Sequence, residues 1–120
     1  MPATADGPGT AGATGELDPE DAKLVTLAHS AMARGRTTSG AAVRDAIGRT
    51  YAAAGVELPS LRLTALQAAV AAAVSSGAEG LEAAAVAGRE STLAEEDRAL
   101  LDDVGATTVL LVAPDGSVSG

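Results

Sequence analysis

SLRLTALQAAVAAAVSSG, residues 60–77, is the stretch whose reading decides the fold. It predicts a single alanine-rich helix. Ala, Leu and Gln favour the helical state, and Gly77 just past the last turn supplies the stop. Thr64 followed three residues on by Gln67 has the pattern of a capping box, which places the helix start at Thr64. Leu66, Ala69, Val70, Ala73 and Val74 fall on one face at helical spacing. The opposite face is also small and apolar, so burial on more than one side is expected.

Upstream, Leu58-Pro59 breaks any ladder before this helix. Residues 39–57 predict two strands around a turn at Asp45–Gly48, with Val43 before it and Thr50, Tyr51 and Val56 after. A first helix is predicted from Asp18, a good N-cap, followed by Pro19 and the acidic pair Glu20 and Asp21. Leu24, Leu27, Ala28, Ala31 and Met32 form its apolar stripe, and Gly35 ends it after Arg34. His29 is expected to be a surface or boundary side chain of that helix. Residues 1–16 carry no apolar periodicity and predict a disordered tail.

Downstream, residues 80–87 read as a short strand bounded by glycines. Thr92 with Glu95 forms a second capping-box pattern. It predicts a helix through Leu93, Leu100, Leu101 and Val104 that closes at Gly105. Residues 107–113, TTVLLVA, are the clearest strand, β-branched and stopped by Pro114-Asp115-Gly116; a central, buried position is expected. Residues 117–120 are expected to be frayed or a small edge piece. The order is α-β-β-α-β-α-β. Strands alternating with helices toward the C-terminus imply parallel pairing there. The fold class expected is α/β, a mixed sheet with helices packed on both faces in one domain over residues 17–116.

Composition narrows the function classes. The chain has 120 residues, a net charge of −8, and neither Phe nor Trp, so its core must be built from Ala, Val and Leu. The acidic balance argues against nucleic acid and anionic membranes as partners. There is no cysteine and only one histidine, which leaves no zinc site of the usual kind. No run reaches the roughly 18 apolar residues that span a bilayer. The N-terminus has no secretory pattern, so a cytoplasmic location is expected.

The helix that opens this section also carries a resemblance. Ala65, Ala69, Ala73 and Gly77 fit the first active-site helix of the cytidine deaminases, (Cys or His)-Ala-Glu-x-x-Ala-x-x-x-Ala-x-x-x-Gly. Gly40-Ala41-Ala42 resembles the start of that family's first strand, and Gly48-Arg49-Thr50-Tyr51 the turn into its second. Val56-Glu57 is similar to the end of its Asn-x-Glu nucleoside motif, with Gly55 at the Asn. The second zinc motif, Pro-Cys-Gly-x-Cys-Arg-Gln, aligns with Leu93 to Ala99, where Arg98 matches. Thr37 stands near a position that is aromatic in the family.

The resemblance implies a three-layer α/β/α cytidine deaminase-like fold, assembly into a homo-oligomer, and a zinc-bound hydroxide assisted by a glutamate. The chemical positions depart from it. Thr64, Ala94 and Asp97 stand where the family has zinc ligands, Leu66 where it has the catalytic Glu, and Ala99 where it has the Gln. The reading is therefore a zinc-free, catalytically inactive homologue with a structural or interaction role. No residue is assigned to catalysis or metal, and no cofactor is expected. Glu57, a ribose contact in the family, is the one ligand-binding candidate, for a weak nucleoside ligand. The alternatives are a deaminase-type hydrolase or a nucleoside-binding protein with altered chemistry. An anion held between the two helix N-termini is a further option.

Overall fold

Asp18 caps the first helix as the sequence expects: its carboxylate accepts from the Glu20 amide at 2.8 Å, and Pro19 fills the first turn. The computed structural model describes residues 17–35, 38–89 and 92–119. The readings of residues 1–16 and of Thr37 lie outside the described residues. The elements are α1 (Pro19–Arg34), β1 (Gly40–Asp45), β2 (Thr50–Ala54), β3 (Val56–Leu58), β4 (Leu61–Leu63), α2 (Ala65–Ser75), β5 (Leu81–Ala87), α3 (Glu95–Val104), β6 (Thr108–Val112) and β7 (Val118–Ser119).

Five strands form one mixed sheet in the order β2-β1-β5-β6-β7. Only β5 and β6 run parallel; the other neighbours are antiparallel. Side chains alternate across the sheet. Ala42, Ala83, Ala85, Leu110 and Val112 meet Leu24 and Ala28 of α1 on one face. Ala41, Val43, Leu81 and Ala84 meet Leu66, Ala69 and Val70 of α2, and Leu101 of α3, on the other. The result is an α/β/α sandwich with helices on both faces.

Among the described residues, eleven of the nineteen buried apolar side chains are alanine, so the layers must approach closely to touch. Gly40 marks one such approach. A Cβ there would lie 2.4 Å from the Ala28 carbonyl oxygen and 2.4 Å from the Met32 nitrogen, both α1 backbone. Electrostatics reinforces the same layer. Arg44, nearly buried on β1, reaches Asp21 of α1 at 3.0 Å and Glu82 of β5 at 2.7 Å. His29 Nε2 lies 2.8 Å from the Pro114 carbonyl oxygen and ties α1 to the β6–β7 turn. It is a boundary side chain, as expected.

Four expectations are corrected. Leu58-Pro59 does not end strand pairing before the helix: Leu61–Leu63 form β4, which pairs antiparallel with β3 across the turn at Pro59-Ser60 in a separate two-stranded ribbon. Alternating Leu-Arg-Leu favours a strand, and the helix waits for its cap at Thr64. Helix α2 is buried on one side only, with Ala71, Ala72 and Val74 exposed, because the sheet covers one face and no other described element covers the other. Thr92 does not cap α3. The N-cap is Ala94, without a side-chain bond, and the three carboxylates of the first turn, Glu95, Glu96 and Asp97, suit the dipole instead. Finally, β6 is interior in the sheet, but only Leu110 and Val112 of it are buried.

Val118 and Ser119 pair with β6 as a small edge strand. The turn before it is held by Asp115, whose carboxylate accepts from the Ser117 amide at 2.9 Å and hydroxyl at 2.8 Å. Among the described residues, no helix is long and apolar enough to cross a membrane.

Candidate functional site

Two helices start at the same place. Thr64, between β4 and α2, caps α2 through a reciprocal pair: its hydroxyl accepts from the Gln67 amide at 3.0 Å, and Gln67 Oε1 accepts from the Thr64 amide at 2.8 Å. The same hydroxyl donates to Asp97 Oδ1, in the first turn of α3, at 2.8 Å. One oxygen therefore finishes a helix and joins it to its neighbour, which is what a hydroxyl with one donor and two acceptor sites can do.

Asp97 is only 5% exposed. Burial pushes its carboxyl above the usual carboxylate range. The Thr64 hydrogen bond opposes that shift, and the nearby Glu96 charge adds to it. Among the described residues, the Thr64 hydroxyl is the one donor to its side chain, on Oδ1, and none reaches Oδ2. This carboxyl borders a cavity of about 440 Å³, whose wall also includes Thr64, Leu66, Ala94, Arg89 and Leu111.

All four positions singled out in the sequence at the two helix starts thus meet at one cavity. Leu66 is fully buried there and adds only apolar surface. Ala94 brings a methyl group. Arg98 and Ala99, next along α3, do not line this cavity; Arg98 borders a separate groove with Leu101 and Val109.

Zinc does not fit this donor set. A zinc site takes at least three side-chain donors, drawn from thiolates, imidazoles and carboxylates. A threonine hydroxyl already committed to a cap, a methyl group and one carboxylate supply one such donor. Among the described residues, no cluster of three His, Cys, Asp or Glu side chains could hold a metal ion. An anion between the two helix ends meets the Asp97 carboxyl first.

Glu57 lies elsewhere. It is exposed on β3, directly across from Arg62 on β4. Both border a larger cleft of about 900 Å³ that includes Gly55, Gln67 and Glu96. Thr64 is common to both hollows, together with Thr38 and Ser39. The structure therefore separates Glu57 from Asp97 into adjoining spaces.

Two features were not read from the sequence. One is the Thr64–Asp97 bond: the cap was legible, but its second partner lies 33 positions away. The other is Arg89, just beyond the end of β5. Its signal was available in principle, because ligands of α/β sheets gather at the carboxyl ends of strands.

Comparison with known proteins agrees with this geometry. A family model described as cytidine deaminase-like matches residues 17–116. The cytidine deaminase from Mycobacterium tuberculosis is 28% identical, with a TM-score of 0.61 over 84% of this chain and 89% of that one. That from Mycobacterium leprae is 25% identical, with a TM-score of 0.60 over 81% and 89%. The Burkholderia pseudomallei cytidine deaminase is 22% identical and shows the fold alone, at a TM-score of 0.68 over 81% and 87%. No curated protein matches by sequence.

Proposed function

The chain belongs to the cytidine deaminase-like family, and on that premise we propose that it is a zinc-free, catalytically inactive member with a structural or interaction role. The observation that carries this reading is the hydrogen bond from Thr64 to Asp97 at 2.8 Å. It joins two of the three positions that bind the metal in the family, so the two helix starts are held together by protein groups. Leu66, in the place of the family's glutamate, cannot move a proton. Loss of a positioned acid–base group alone costs about 10²–10⁴ in rate.

The role is assembly, as a homo-oligomer. The outer face of α2 supports this: Ala71, Ala72 and Val74 leave a flat apolar surface on a helix with no charged residue in either terminal turn. Leu58 and Leu61 on the ribbon are exposed as well. The test joins two measurements on the purified protein. Zinc far below one per chain after dialysis, with no loss of cytidine absorbance, is the expected result. Stoichiometric zinc, or turnover that survives repurification, overturns the reading. Light scattering should report a dimer or tetramer; a monomer at tens of micromolar removes the assembly role.

A second reading has its own support. Glu57 borders the larger cleft beside Thr64, where a ribose contact of the family's kind would leave the chain a nucleoside-binding protein. Cytidine or uridine raising the unfolding midpoint, with the rise lost in Glu57→Gln, is the result that favours it.

A further inference from the structure

We propose that the cavity between α2, α3 and the end of β5 binds an α-amino acid with a small apolar side chain. The inference does not depend on whether the chain is catalytically inactive. It rests on what the wall offers. Asp97 is a buried carboxyl whose Oδ1 is fixed by Thr64 at 2.8 Å. That is the one hydrogen bond to its side chain among the described residues, and it leaves Oδ2 without a donor, although buried polar atoms in native folds are nearly always paired. A free oxygen on an oriented, buried carboxyl is an acceptor waiting for a donor from outside the chain.

Arg89 lines the same cavity and forms no ion pair among the described residues. Its guanidinium is suited to a carboxylate, which it can hold through two parallel bonds. Leu66, Val86, Leu93 and Leu111 supply apolar wall beside these two charges. A simple anion would satisfy Arg89 and be repelled by Asp97. A simple amine would satisfy Asp97 and leave Arg89 idle. A zwitterion with an apolar side chain matches all three surfaces: ammonium on Asp97, carboxylate on Arg89, side chain on the leucines and valine. The cavity's volume of about 440 Å³ falls in the range of roughly 300–1,000 Å³ typical of small-molecule sites.

The test is a thermal-shift and calorimetric titration of the full chain with L-leucine, isoamylamine, isovalerate and cytidine as probes. Leucine should raise the unfolding midpoint with concentration, and the amine and the acid should each bind at least about tenfold more weakly. Asp97→Asn keeps an acceptor for Thr64 and should fold, yet lose about tenfold in leucine affinity. Arg89→Gln, at an exposed position, should lose a similar factor without any change in the unliganded midpoint. No response to leucine, valine or alanine at about 10 mM overturns the proposal. So does leucine binding that is unchanged in Asp97→Asn, or a response to cytidine without one to any amino acid.

Discussion

Replacing Thr64 by valine keeps the shape of the side chain and removes its hydroxyl. Two bonds go with it: the cap on the Gln67 amide at 3.0 Å and the link to Asp97 at 2.8 Å. Loss of an N-cap costs about 1 kcal/mol. Loss of a hydrogen bond to a charged or buried carboxyl costs about 1.5–3 kcal/mol, because the carboxyl remains buried without its donor. Together the expected destabilisation is about 2.5–4 kcal/mol, a large share of the roughly 5–15 kcal/mol that holds a domain together. At about 4–8 °C per kcal/mol for a domain of this size, Tm should fall by at least roughly 10 °C.

Thr64→Ser is the control. It keeps both bonds and loses one methyl, so it should cost under about 1 kcal/mol. Urea unfolding followed by far-ultraviolet circular dichroism reads both, since the chain has no tryptophan. A double-mutant cycle of Thr64→Val with Asp97→Ala should return a coupling of about 1–3 kcal/mol. A valine variant no less stable than the serine variant, or a coupling near zero, refutes the reasoning.

Three further outcomes follow from the same geometry. Burial raises the Asp97 carboxyl in the folded state, so its stabilising contribution is complete below the unfolded aspartate value of about 3.9 and is lost as pH rises through the folded value; Asp97→Asn should therefore gain stability relative to wild type as pH rises from about 4 to about 7, and urea midpoints at the two ends check it. Gly40→Ala drives a methyl into the α1 backbone at 2.4 Å and should cost about 2–3 kcal/mol, whereas Gly80→Ala meets nothing within 4 Å and should be neutral or stabilising by about 0.4–1 kcal/mol; unfolding curves of the pair give the contrast. The combined change Thr64→Cys, Ala94→Cys and Asp97→Cys should create a tetrahedral thiolate site, since all three positions border one cavity and helix N-termini favour the thiolate; cobalt titration reads it by its absorption bands.

Much of the fold was legible because local chemistry and tertiary placement agree. Asp18 with Pro19, the Thr64–Gln67 box, the Asp45–Gly48 turn and the apolar run at 108–112 each hold a pattern that needs no distant partner. The misreadings come from segments where they disagree. Leu61–Leu63 has a strand's alternation, but its pairing with Val56–Leu58 closes across Pro59, which three residues cannot announce. Thr92 and Glu95 have capping-box spacing, but the helix starts after Ala94, where the buried Asp97 and Leu101 set its rotation. The candidate site was legible as a set of positions, 64, 66, 94 and 97, through the resemblance. The bond joining two of them and the arginine beside them were not, because both depend on where separate strands and helices end.

The Thr64–Asp97 bond also accounts for how α3 stays in place. That helix buries Asp97 and Leu101 and packs the half-buried Leu100 and Val104 against the same core, so its apolar contacts lie in its C-terminal half. Burying one such side chain fully stabilises by about 1.5–3 kcal/mol, but Leu100, Leu101 and Val104 all lie toward the C-terminal end of the ten-residue helix. Its N-terminal turn carries three carboxylates and no side-chain cap, so no capping bond anchors that end. The link to Thr64 supplies the second point, and it does so from a residue already rigid through its own capping box. A metal shared by two helices would fix the same two ends. A hydroxyl and a carboxyl achieve this with two side chains and leave the cavity between the helices open, with Oδ2 of Asp97 still able to take a hydrogen bond.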